Sequence, residues 1–167
     1  MTKNTNYKKA YIAGGCFWGM EELFRKQDGI ISTEVGYMGG HEVNPSYQSH
    51  SGHAEALELT YDPETISFQG ILDYFYRVHN PTTMDQQGND RGSSYRSAIF
   101  YQNSDEKLQA ESFIEIVNHS GRWTSPVVTT LEEFDIFYPA ENYHQDYLQK
   151  SPHGYTCHYV RFPSYIN

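Results

Sequence analysis

Hydrophobic positions along this chain alternate between two periods, and each switch of period marks an element. Tyr7 to Ala13 reads as a short strand, broken by Gly14-Gly15. Phe17, Met20, Leu23 and Phe24 follow at helical spacing, and Gly29 supplies a stop signal. Ile30 to Tyr37 is β-branched enough for a second strand, and Ala54 to Tyr61 forms a third, ended by Asp62-Pro63. Between them runs a loop holding Gly39, Gly40, Pro45, Ser46, Ser49, Ser51 and Gly52. Phe68, Ile71, Leu72, Phe75 and Val78 restore the helical period until Asn80-Pro81 closes it. A fourth strand is expected over Tyr95 to Gln102, then a helix capped by Ser104 and running to about His119. Pro126 to Leu131 is a candidate fifth strand, and Glu141 to Lys150 a last short helix. The tail beyond carries Pro152, Gly154 and Pro163. The order β-α-β-β-α-β, then αβα, predicts an α+β two-layer sandwich. Its sheet should be ferredoxin-like and mostly antiparallel, with an irregular C-terminal tail.

Composition narrows the function classes. A chain of 167 residues fits one domain, 1–167, that buries roughly 70% of its unfolded surface without a metal or disulfide staple. A formal net charge of −9 argues against a nucleic-acid or anionic-membrane partner. The N-terminal residues hold no apolar run of signal-peptide length, and nothing later is long enough to span a bilayer. A cytoplasmic protein is therefore expected. Nothing calls for an obligate oligomer, so a monomer is expected too. His41, His50 and His53 match no zinc spacing, so no metal and no cofactor is expected.

Two cysteines, Cys16 and Cys157, lie near opposite ends. In a reducing compartment such a pair is either inert or redox-active, and local sequence must decide. Cys16 sits where a strand ends in two glycines and a helix begins. The first helical N–H groups lack intrahelical partners and, with the macrodipole, favour an anion. The thiol pKa is therefore expected to fall. The glycines would let another molecule approach the backbone, and Phe17 and Trp18 would wall the sulfur. The alternative is a buried structural cysteine with Phe17 in the core. Glu55 shares a strand face with Leu57, Leu59 and Tyr61. On an apolar face its pKa should rise, leaving a protonated acid able to donate. An exposed strand-end glutamate is the alternative.

Gly14-Gly15-Cys16-Phe17-Trp18-Gly19 with Glu21-Glu22 resembles the signature of A-type peptide methionine sulfoxide reductases. The resemblance continues through Gly36-Tyr37-Met38-Gly39-Gly40, Asn44-Pro45-Ser46-Tyr47, Gly52-His53-Ala54-Glu55, Tyr61-Asp62-Pro63, Gln87-Gly88-Asn89-Asp90-Arg91-Gly92 and Tyr95-Arg96-Ser97. Phe137-Tyr138-Pro139-Ala140-Glu141 and Tyr143-His144-Gln145 extend it to roughly residue 150. The family implies that Cys16 attacks the sulfoxide sulfur and becomes a sulfenic acid as methionine leaves. It implies Phe17 and Trp18 around the S-methyl group, Glu55 as the acid, and Tyr47 and Tyr95 as donors to the sulfoxide oxygen. Asp90 matches its substrate-contacting aspartate, although composition alone favours a turn residue there. His144 is expected only as a neighbour of the site. The implied substrate is methionine-S-sulfoxide, free or in oxidised proteins.

Cys157, in Gly154-Tyr155-Thr156-Cys157-His158, matches a recycling cysteine that forms a disulfide with the sulfenic cysteine. A dithiol reductant such as thioredoxin would reopen it. A bystander thiol is the alternative. The chain departs from many relatives between Tyr47 and Gly52, where only four residues stand, and at Asn80, where aspartate is common. Two other readings stay open: a Cys/His hydrolase or amidotransferase, and a non-catalytic binding module with the same aromatic pocket.

Overall fold

The two periods resolve into β1 (Lys8–Gly14), α1 (Phe17–Phe24), β2 (Ile30–Met38), β3 (Ala54–Tyr61) and α2 (Phe68–Val78). A short hairpin of β4 (Gln86–Gln87) and β5 (Asp90–Arg91) precedes β6 (Ser97–Tyr101) and α3 (Ser104–His119). β7 (Thr130–Glu133), β8 (Tyr138–Pro139) and α4 (Tyr147–Lys150) complete the order. The computed structural model describes residues 6–166.

One sheet carries six strands in the order β7-β6-β1-β3-β2-β8. Every pairing is antiparallel except β6 with β7. Its central four strands, β6-β1-β3-β2, are two split β-α-β units, the expected ferredoxin-like arrangement. The helices cover one face, where Ile12, Val35, Leu57 and Ile99 meet Phe17, Phe24, Leu72, Phe75 and Phe113. The opposite face is lined by small residues, Ala13, Ala54, Ala56 and Ala98, and closed by Phe134 and Phe137. Among the described residues no helix is long and apolar enough to cross a membrane.

Besides the start of the fourth strand, three boundaries differ from expectation, each for a tertiary reason. Asn103, not Ser104, caps α3, its Oδ1 accepting the Glu106 N–H at 2.9 Å. The fifth main strand begins at Thr130 rather than Pro126, because the Val127 and Val128 N–H groups are taken by Asn118 Oδ1 and the Pro81 carbonyl. The helix expected over Glu141 to Lys150 is interrupted. Gln145 spends its side chain on the Val35 N–H, the Val35 carbonyl and the Ala140 carbonyl. Asp146 then donates its N–H to Glu21 Oε1 from a left-handed backbone, φ 56°. Only Asn142–His144 (a single turn) and α4 remain helical.

Antiparallel pairing fixes where chemistry can gather. β1 ends at Gly14 opposite the start of β6, Ser97, and beside the start of β3. The end of β2, at Tyr37 and Met38, faces Glu55 and Ala54. Four strand ends thus converge at the mouth of α1.

Candidate active site

Gly15, at φ +99°, turns the chain from β1 into α1, and Cys16 becomes the N-cap residue without a side-chain cap bond. Phe17 is the first helical residue, and its N–H donates to Glu55 Oε1 at 3.1 Å. The helix opening therefore faces both groups, the carboxyl through Phe17 and the sulfur through the Trp18 N–H. Cys16 is 7% exposed. That burial raises its thiol well above the ordinary cysteine range, and the charges of Glu55, Asp90 and Cys157 push the same way. The Trp18 N–H lowers it, but by less. The expected acidic thiol is thus corrected: the helix end acts as foreseen, and desolvation outweighs it.

Glu55 is 2% exposed, on the face shared with Leu57 and Leu59 and across the strands from Tyr37. Burial lifts its pKa to about 8, against the Phe17 N–H, which favours the carboxylate, and with the Asp90 charge, which does not. Near neutrality the acid keeps its proton.

The aromatic wall is braced from behind. Phe17 is buried, with its ring 5.7 Å from Tyr37 and 5.1 Å from His144. Trp18 stacks on Tyr147 at 3.8 Å and donates its indole N–H to His144 Nδ1 at 3.0 Å. That bond makes Nδ1 an acceptor and leaves the proton of the neutral ring on Nε2. Among the described residues this buried Nε2 has no hydrogen-bond partner.

Tyr47 is exposed at the rim, its ring 4.7 Å from His144, and its N–H donates to Glu141 Oε2 at 3.0 Å. Tyr95 does not begin a strand as expected but ends the turn Ser93–Tyr95. Burial raises both phenols, as do the charges of Glu55, Cys16 and Asp90, so all five residues feel one another. Asp90, on β5, accepts the Tyr155 hydroxyl at 3.1 Å. Cys157 is half-buried against the β4–β5 turn, its Sγ 3.9 Å from the Gln87 carbonyl. Both cysteines are free thiols.

Supporting residues gave little sign of themselves in the sequence. Glu141 holds Tyr37, Tyr47 and Tyr143 together. Arg96 grips both Glu132 oxygens and donates to the Gly52 and Ser93 carbonyls, fixing the Tyr95 turn to the loop before Glu55. Gly39 holds φ +90°, a backbone that side chains disfavour, and a Cβ there would also crowd Arg96 Nη2 at 2.5 Å. Gln87 is buried and trades two 2.8 Å hydrogen bonds with the Asn80 backbone. Two of the three loop histidines are used internally. His50 donates to the Ser46 carbonyl and accepts from the Ser94 hydroxyl, while His53 donates to the Glu42 carbonyl and accepts from Gly40 N–H. Neither retains a free ring nitrogen for a metal.

This arrangement joins a thiol, a neutral acid, two phenols and an aromatic wall, a set able to reduce a small polar S–O bond. Comparison with known proteins agrees. A family model described as peptide methionine sulfoxide reductase matches residues 8–165. The peptide methionine sulfoxide reductase MsrA of Mycolicibacterium paratuberculosis is 54% identical over 94% of this chain and 92% of its own length. The reduced form of Mxr1 from Saccharomyces cerevisiae superposes with a TM-score of 0.86 at 36% identity, covering 97% of this chain and 96% of that one. Mxr1 in complex with Trx2 matches with a TM-score of 0.64 at 27% identity, over 97% of this chain and 95% of that one. The chain belongs to the peptide methionine sulfoxide reductase family, as an enzyme of the A type.

Proposed function

We propose that residues 1–167 act as one monomeric domain that returns methionine-S-sulfoxide, free or in oxidised proteins, to methionine and so repairs oxidative damage. Two free thiols suit a reducing compartment such as the cytoplasm. The observation that carries the reading is the 3.1 Å bond from Phe17 N–H to Glu55, which sets a protonated acid one residue from the Cys16 sulfur.

The sulfoxide methyl group rests against Phe17 and Trp18, with Asp90 orienting the rest of the substrate. Glu55, Tyr47 and Tyr95 donate to the sulfoxide oxygen. As Cys16 attacks the substrate sulfur, Glu55 passes its proton to that oxygen. The carboxylate so formed takes up the Cys16 proton, which suits a thiol that burial keeps protonated at rest. Methionine leaves, its sulfur reduced, and Cys16 carries the oxygen as a sulfenic acid. Cys157 then displaces hydroxide to form a disulfide, and a thioredoxin-type dithiol reopens it. The Mxr1–Trx2 pairing supports that choice of reductant.

A Cys/His hydrolase needs an imidazole base at Cys16. His144 Nδ1 is occupied by Trp18 and His158 Nε2 by the Gly14 carbonyl, so no observation favours that reading.

The test is stoichiometric reaction with each sulfoxide epimer. Cys16→Ser should release no methionine. Cys157→Ser should release one methionine per enzyme from the S epimer and then stall with thioredoxin. Equal multi-turnover rates for wild type and Cys157→Ser would remove Cys157 from the cycle, and release by Cys16→Ser would remove the nucleophile.

A further inference from the structure

The glycines around Cys16 were expected to admit a foreign molecule. What approaches Gly15, and Gly19 within the helix, is the protein itself, the C-terminal tail included. A Cβ on Gly15 would stand 3.2 Å from His158 Nε2 and 2.6 Å from Gln87 Cγ. A Cβ on Gly19 would collide with His158 Nδ1 and Thr156 Oγ1. Gly19 lies within α1, where alanine would favour the helix by about 0.5–1 kcal/mol. It has no positive φ to excuse it. Its absent side chain is accounted for by the tail.

His158 is 7% exposed and donates Nε2–H to the Gly14 carbonyl at 2.7 Å, across 144 residues of sequence. Its own N–H donates to Thr156 Oγ1 at 3.1 Å, closing a tight turn around the residue between them, Cys157. On the far side of that residue, a Cβ added to Gly88 would touch Cys157 Cβ at 3.2 Å. The thiol is thus held between the β4–β5 turn and the strand end that leads into Cys16. His158 Nδ1 lies 3.9 Å from the Cys157 sulfur. Burial, opposed by the Gly14 carbonyl and aided by the Arg161 charge, pulls the imidazole pKa down to about 4. So weak a base takes little of the Cys157 proton near neutrality, which leaves placement as its contribution.

We propose that His158 is a positioning residue for disulfide formation: docked on the Gly14–Gly19 turn, it holds Cys157 at the Cys16 sulfenic acid. The inference rests on Cys157 being the resolving thiol. In that step the Cys157–Cys16 S–S bond forms and the Cys16 S–O bond breaks. The oxygen leaves as water with the sulfenic proton and the Cys157 proton. Cys157 sulfur is oxidised, and Cys16 sulfur is reduced from the sulfenic to the disulfide level. A tail free to swing would present its thiol at an effective concentration of about millimolar, and a docked one presents far more.

The experiment mixes enzyme with one equivalent of methionine sulfoxide and follows methionine release and thiol loss separately, in wild type, His158→Ala and His158→Gln. His158→Ala should release methionine at the wild-type rate but form the disulfide about ten-fold or more slowly. His158→Gln, whose amide N–H can reach the Gly14 carbonyl, should recover most of that rate. A wild-type disulfide rate in His158→Ala overturns the proposal, as does a methionine burst that slows in step with it. Alkylation of Cys157 in a Cys16→Ser background tests the docking without the resolving step. Faster labelling with His158→Ala supports it and unchanged labelling refutes it. A wild type that releases methionine yet shows no Cys16–Cys157 disulfide by mass spectrometry would instead refute the role of Cys157.

Discussion

Two glutamates neighbour Tyr37, one by strand register and one by a hydrogen bond, and their surroundings drive them to opposite states. Glu55 pairs with Tyr37 across β2 and β3, is buried, and accepts one N–H, from Phe17. Burial wins there, and the pKa rises to about 8. Glu141 accepts the Tyr37 hydroxyl at 2.9 Å, the Tyr143 hydroxyl at 3.1 Å and the Tyr47 N–H at 3.0 Å. Burial alone would raise it too, but these donors and its own backbone outweigh burial and hold it near 2. The difference is one of donor count and solvent access. One carboxyl keeps a proton to give, and the other stays an anion that ties the Tyr47 loop to β2.

The strongest way to break this comparison is to make both groups into amides. Glu55→Gln keeps shape and burial but loses the transferable proton. Single-turnover methionine release should fall by roughly 10² to 10⁴, read by rapid quench. Glu141→Gln should stay within about ten-fold of wild type, because its carboxylate supports Tyr47 rather than giving up a proton. Equal losses in the two variants would show that Glu55, like Glu141, is a brace.

The pH dependence sharpens the same contrast. With Glu55 as acid, single-turnover release should be level below about pH 8 and fall above it. The Glu55→Gln profile should lose that inflection. Stability must follow opposite signs at the two sites. A raised native pKa means that the folded state holds a proton the unfolded chain releases, so Glu55 favours folding less as pH climbs from its ordinary range toward 8. A lowered one means that Glu141 stabilises above its ordinary range and loses this as pH falls toward 2. At pH 7 Glu141→Gln should lower stability by about 1–2 kcal/mol, less than the full shift because solvent reaches part of the group. The difference from wild type should vanish as the melting series approaches pH 2.

The fold was legible wherever local pattern and tertiary demand agreed. β3 and α2 stand where Ala54–Tyr61 and the Phe68–Val78 period put them, because the apolar alternation at Leu57, Leu59 and Tyr61 and the helical period are local signals. Glu55 could be singled out for the same reason: its strand face is apolar on every second residue. The interrupted Glu141–Lys150 segment was illegible because Glu21 and Val35, more than a hundred residues away, claim its backbone and side chains. The Cys16 thiol was misread in direction because a helix end is visible in sequence and the depth of burial is not. His158 has no mark of its role in the sequence, since nothing in its segment shows that Gly15 and Gly19 leave it a seat beside the Gly14 carbonyl.

Asn80 offers the mildest test, a change of charge at a site already saturated with donors. Its Oδ1 accepts the Thr82 N–H at 2.9 Å and the Thr82 hydroxyl at 2.6 Å. Its backbone is held by Gln87, the residue packed against Gly15. An aspartate here would accept the same two donors and stay ionised for the reason Glu141 does. Asn80→Asp should therefore move the melting temperature by no more than about 2 °C, within the usual half-kcal/mol range of a surface exchange. Methionine release should not change. A large loss would mean that the turn depends on an uncharged acceptor. Donor count alone would then fail to predict which carboxylates this corner of the protein tolerates, and the contrast between Glu55 and Glu141 would need another cause.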